Sequence, residues 1–215
     1  MVNCNKSKYN FDDLLLIMNT LRAPGGCPWD AEQTHKSIRR NFIEEVYEAC
    51  EAIDISDDSL LCEELGDVLL QVVFHAQIAK DRGAFSIDEI CDGVCKKLIY
   101  RHPHIFGDIN LKTSEEVLDM WEEVKKKEKH QDSVTESMSQ IAKTLPALIY
   151  AEKVQKKAAK SGIEIALTEN KDDIGEKLFE LVAQARKQGV DPEQALVEAT
   201  NRFINRFSEA EKSNQ

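Results

Sequence analysis

Acidic residues recur at helical spacing in two neighbouring segments. RRNFIEEVYEACEAI carries Glu44, Glu45, Glu48 and Glu51, and CEELGDVLLQVVFHAQIAKDRG carries Glu63, Glu64 and Asp67. At about 100° per residue the first set fills an arc of roughly 120°, opposite Phe42, Ile43, Val46, Ala49, Cys50 and Ile53. Alone, that pattern describes a solvated face. The second segment is different. With Glu64 at zero, Asp67 falls at about 300°, Gln71 at about 340° and His75 at about 20°. Leu60, Phe74 and Ile78 flank this narrow polar stripe on one side, Val68 and Val72 on the other. A helix apolar almost all round is expected to be buried. Its few acids must then be paired or cation-bound, because a bare buried carboxylate is costly.

An antiparallel hairpin would set Glu45 and Glu48 against Glu64 and Asp67. Like charges at this spacing repel by roughly 0.2–0.5 kcal/mol per pair even in water, so four in a partly dry cleft call for a divalent ion. All-oxygen ligation points to Mg²⁺, with Mn²⁺ as a substitute, and not to zinc. A di-iron bundle needs two Glu-x-x-His pairs. The one present, Glu32-x-x-His35, lies on neither acidic helix. His75 reads as a hydrogen-bonded structural histidine, and Trp29 with Gly25-Gly26 as the frame of a cleft entrance.

These residues sit in a chain of 215 residues that is 42% hydrophobic, 31% charged and carries a formal charge of −11. That charge disfavours nucleic-acid binding, which rests on basic surface. Asp12 and Asp13 fall where an export signal needs an apolar core. The apolar stretch 68–79 is too short and too polar to cross a membrane. A cytoplasmic protein is therefore expected. Its six cysteines are then reduced thiols, mostly core filler. Cys91 and Cys95 share a helix face ahead of His102 and His104, but the spacing matches no standard zinc site.

The elements that must position the acids read as helices throughout, so an all-α fold is expected. Asn10 caps a first helix to about Leu21, and the APGGCPWD loop follows. Helices are expected over about 37–53 and 59–82, with IDISDDS between them and Gly83 as a stop. Ser86-x-x-Glu89 is a capping box for a helix reaching about Arg101. His102-Pro103 ends it. Further helices are expected over about 114–128, from Pro146 to near Gly162, over 172–188 and over 192–211. The polar stretch between the first two of these reads as a linker.

The ordered set of motifs extends beyond the acids: Gly26-Cys27-Pro28-Trp29-Asp30, Gln33-Thr34-His35, Glu44-Glu45-x-x-Glu48, Glu63-Glu64-Leu65-Gly66-Asp67, Arg101-His102-Pro103-His104 with Phe106-Gly107-Asp108, and Trp121-Glu122-Glu123-Val124-Lys125. The chain resembles the MazG family of nucleoside triphosphate pyrophosphohydrolases, closely over about 11–128 and loosely over 146–211. The resemblance implies a dimeric all-α MazG-like bundle. It implies Mg²⁺-dependent hydrolysis of nucleoside triphosphates to monophosphate and pyrophosphate, in housecleaning or control of nucleotide pools. It implies metal ligation by Glu45, Glu48, Glu64 and Asp67, with Glu44 a further member of the catalytic motif. It also implies nucleotide contacts from Lys97, Arg101 and Trp121. By spacing alone, Lys97 and Arg101 read as a solvated basic face and Trp121 as core.

The segment 63–83 is echoed by DDIGEKLFELVAQARKQG, residues 172–189. Asp173 and Glu176 stand there in the places of Glu64 and Asp67, with only ENKDD before them. The expected organisation is a catalytic domain over 1–130, a linker over 131–145 and a degenerate, silent second copy over 146–215. A competing class is a non-catalytic helical regulator that binds nucleotides or a partner protein. The intact acids argue against it. A homodimer is expected also because the acidic hairpin needs cover on more than one side.

Overall fold

The computed structural model describes residues 6–109, 111, 113–128, 133–163, 165–167, 170 and 172–213. Among them every regular element is a helix, as expected, and no helix is long and apolar enough to cross a membrane. The chain divides into two compact units, Met1–Lys112 and Thr113–Gln215. The division falls ahead of the helix that carries Trp121, where the sequence reading drew it after that helix.

The first unit holds α1 (Phe11–Arg22), α2 (Pro28–Glu32), α3 (Arg39–Asp54), α4 (Asp58–Asp81), α5 (Ile87–Arg101) and α6 (Pro103–Phe106). Reciprocal bonds between Asn10 and Asp13 close the start of α1. Asp57 caps α4 by accepting from the Ser59 and Leu60 amides, both at 3.0 Å. Met18, Ile38, Val73, Phe74 and Ile78 form the core, with Leu14, Leu15 and Leu70 against it.

Arg22 fastens this core to the loop ahead of α3. Its Nε donates to Asp81 at 2.7 Å, its Nη1 reaches the carbonyls of Asp30 and Gln33, and its guanidinium lies over the Phe74 ring. The loop turns so closely on the end of α1 that a Cβ on Gly26 would collide with the Thr20 and Leu21 carbonyls.

The expectation that the whole of α4 is buried is corrected. Its buried residues begin only at Gln71, and ahead of them Leu65 and Leu69 are exposed by 53% and 41%. The cause is coverage. The contacts that α1 makes through Met18, Asn19 and Arg22 fall on Val73 to Asp81, in the second half of α4. The apolar arc of α3 divides likewise: Ala49 and Ala52 are buried, while Ile43, Val46 and Ile53 are exposed.

The second unit holds α7 (Ser114–Glu128), α8 (Val134–Ser139), α9 (Ala147–Ser161), α10 (Ile174–Lys187) and α11 (Pro192–Ser213). Here α9 packs against α8, α10 and α11. The buried Gln155 donates to the Phe179 carbonyl at 2.7 Å. α8 lies inside the stretch read as linker, and its signal was there to read: Ser133 and Glu136 form a capping box.

Candidate metal centre

α3 and α4 form the most extensive helix pair of the first unit, joined by a turn of three residues, Ile55 to Asp57. One carboxylate oxygen from each of Glu45, Glu48 and Glu64 lies within 4.8 Å of the others. Among the described residues this is the one grouping with metal-binding geometry. Cys91 and Cys95, both exposed, form no such group with His102 and His104.

The surroundings of Glu45 and Glu64 disfavour their ionisation. Burial, then the charges of Asp67 and Glu48, push the Glu45 carboxyl above its ordinary range, while a bond from Gln71 pulls it down. Glu64 is raised by desolvation, then by Glu48, Asp67 and Glu63. Asp67 is thus a close negative neighbour of two cluster members, although it stands outside the grouping of three. An all-carboxylate donor set in which Glu45 and Glu64 resist ionisation fits a hard divalent cation, whose charge would offset the repulsion.

The other motif residues are placed differently. Glu44 stands outside the grouping and accepts from Arg40 of its own helix at 2.7 Å. Lys97 is exposed, on a stretch of α5 that is exposed from Cys91 to Tyr100, and Arg101 is half-buried at the helix end. Trp121 is half-buried on α7, in the second unit.

Two features were missed in the sequence. Gln71, at 7% exposure, directs its amide nitrogen to Glu45 Oε1 at 3.5 Å. The polar stripe showed Gln71 but not its partner. His75 pairs with His35, Nδ1 to Nδ1 at 2.8 Å with the rings stacked, and Phe42 meets His75 edge-on. One ring must donate and the other accept, so a neutral acceptor is required. Burial, then His35, holds His75 below its ordinary value. Nothing in the spacing of His35 and His75 announced that the loop folds back onto α4.

The MazG nucleotide pyrophosphohydrolase domain model matches residues 33–106, which include all four carboxylates. A Thermotoga maritima protein named nucleoside triphosphate pyrophosphohydrolase/pyrophosphatase MazG is 41% identical over 94% of this chain and 86% of its own length. The Escherichia coli K12 protein named nucleoside triphosphate pyrophosphohydrolase is 37% identical over 94% of this chain and 87% of its own. Among solved structures, a mazG-related protein from Thermotoga maritima covers 54% of this chain and 98% of its own at 28% identity, with a TM-score of 0.46. Identity sustained along nearly the full length of two such relatives, together with the domain match across the acidic hairpin, means that the chain belongs to the MazG family.

Proposed function

We propose that the protein hydrolyses nucleoside triphosphates, ribo- or deoxyribo-, to the monophosphate and pyrophosphate, using Mg²⁺ or Mn²⁺ held by Glu45, Glu48, Glu64 and Asp67. The observation that carries this is the convergence of three carboxylates within 4.8 Å on one helix pair, in a chain whose named relatives are pyrophosphohydrolases. Bound there, a divalent cation supplies a nucleophilic water at neutral pH and neutralises phosphate charge. Glu45 and Glu48 from α3 and Glu64 and Asp67 from α4 would hold the cation. Lys97 and Arg101 meet the phosphates as charge-assisted donors, Trp121 meets the base, and Glu44 keeps the outer edge of α3 negative.

The working form is a homodimer. The exposed Ile43, Val46, Tyr47, Leu65 and Leu69 on α3 and α4 supply the apolar surface such an interface needs. The second copy serves assembly rather than catalysis. A housecleaning or pool-controlling role in the cytoplasm suits this chemistry, with no nucleic acid as partner.

The test is a panel of NTPs and dNTPs incubated with the full chain and Mg²⁺, with products separated by ion exchange. Monophosphate and pyrophosphate, lost with EDTA and restored by Mg²⁺ or Mn²⁺, are the expected result. Diphosphate and phosphate as main products, or full turnover without metal, would refute the assignment.

A further inference from the structure

Gln71 sits one turn beyond Asp67 on α4, at the point where the helix passes from the exposed acidic half into the core. It is 7% exposed and inside the protein fold, out of reach of a nucleotide on the surface. Its Nε2 lies 3.5 Å from Glu45 Oε1, and no other side chain outside the cluster donates to Glu45, Glu48, Glu64 or Asp67 among the described residues. Its Oε1 is buried with no donor. The reverse amide orientation would set two oxygens against each other, so the nitrogen belongs toward Glu45.

This arrangement is a poor way to build a core. A buried amide with one unsatisfied end costs stability that an apolar side chain of similar length would not. It is a good way to aim a ligand. A neutral donor steadies the carboxylate without bringing a positive charge that would compete with the cation, as a lysine would. At 3.5 Å the bond is long, and such contacts tighten when the site is filled.

We propose that Gln71 is a positioning residue that orients Glu45 toward the metal through its amide N–H. The proposal rests on the metal-site reading above and adds a residue to it. Gln71 acts on affinity for the cation, at the expense of stability in its absence. Both consequences can be measured on the same protein.

The experiment is calorimetric titration of the full chain with Mn²⁺ alone, alongside melting of the metal-free protein, for wild type, Q71M and Q71N. Methionine keeps length and burial without the donor; asparagine keeps the amide but falls a methylene short of Glu45. Both variants are expected to bind Mn²⁺ about tenfold more weakly, with the metal-free Q71M melting no lower than wild type. Wild-type affinity in both variants would overturn the proposal, as would a loss of affinity that merely tracks a lower melting temperature. If Q71M does not fold, Q71N decides on the same readouts. A wild-type chain that binds no Mn²⁺ would instead sink the metal site itself.

Discussion

Read backwards from their stop glycines, α4 and α10 run in register. Gly83 and Gly189 adopt φ of 65° and 71°. The Ala84 and Val190 amides each reach back to an alanine carbonyl, Ala79 and Ala185, at 3.0 Å. Asp67 and Asp173 each stand sixteen residues ahead of their glycine, a register three residues off the motif match that sets Asp173 against Glu64 and Glu176 against Asp67. Their helices begin at different points, however: α4 has 24 residues and α10 has 14. The ten residues missing from α10 amount to about 15 Å of helix, the part that carries Glu64 in α4. Asp173 therefore falls at the helix start, where its Oδ1 caps the Glu176 amide at 2.9 Å, and Glu176 accepts from the Asn170 amide at 2.6 Å. An acid in the middle of a helix projects a charge across to its neighbour. The same acid at the end is consumed by the backbone.

The opposing helices differ too. α3 offers Glu45 and Glu48, whereas α9 offers Glu152 among Lys153, Lys156, Lys157 and Lys160. The helix that packs beside α10 is thus α9, reached across a longer connection, and not the ENKDD segment. Both pairs bury a glutamine with an unpartnered Oε1. Gln71 faces a carboxylate and Gln155 a backbone carbonyl.

The largest expected effect separates the two aspartates. Asp67→Asn should lower turnover on the order of 100-fold by weakening the cation. It should not lower the melting temperature of the metal-free protein, because it relieves repulsion on Glu45 and Glu64. Asp173→Ala should do the opposite, leaving turnover intact and costing about 1 kcal/mol for the lost cap. Steady-state kinetics and thermal melts on both variants check this. Turnover that falls as far in Asp173→Ala as in Asp67→Asn would end the distinction between a working and a silent copy.

The asymmetry was partly legible beforehand. Helix periodicity, caps and glycine stops placed the long helices closely, because those signals are local: Asn10, Ser86 and Gly83 each act within one turn. The acidic hairpin followed from spacing on two adjacent helices. Three things did not follow. The burial of α4 depends on how far α1 reaches, which no local pattern encodes. The His35–His75 pair joins a loop to a helix across 40 residues. The short helices α2 and α6 open on Pro28 and Pro103 with no side-chain cap to announce them, and the capping box of α8 lies in a stretch dominated by charged residues.

A smaller effect tests that loop contact. Leu181 stands as far ahead of Gly189 as His75 stands ahead of Gly83, so α10 has no imidazole at that place. Because the folded state holds His75 below its ordinary value of 6.5, the unfolded chain takes up the proton first. The stability it contributes is complete above that value and falls as pH drops through it. A proton arriving on the accepting ring also breaks the Nδ1 bond. Between about pH 7.5 and about pH 5.5 the wild-type melting temperature should fall more than that of His75→Leu. Equal slopes would remove the pair from the account.

The smallest effect concerns how each pair turns. α9 ends on Gly162 at φ 70°, but α3 ends on a turn in which Ser56 takes φ 57°. There the Ser56 amide donates to Ile53 and the Asp57 amide to Ala52, at 3.1 and 3.0 Å. That left-handed conformation costs a residue with a Cβ roughly 1–2 kcal/mol. Glycine avoids this but gives back roughly 0.5–1 kcal/mol in unfolded-chain entropy. Ser56→Gly should therefore stabilise by about 0.5 kcal/mol, and Gly162→Ser should destabilise by about 1 kcal/mol. Denaturant midpoints on the two variants measure both. Metal affinity should be unchanged in Ser56→Gly, because the Asp57 cap on the Ser59 and Leu60 amides already fixes where α4 begins. A loss of Mn²⁺ affinity in that variant would mean that the stiffness of the turn itself holds Glu48 and Glu64 in range. The short connection, as well as the longer helix, would then distinguish the acidic pair from its echo.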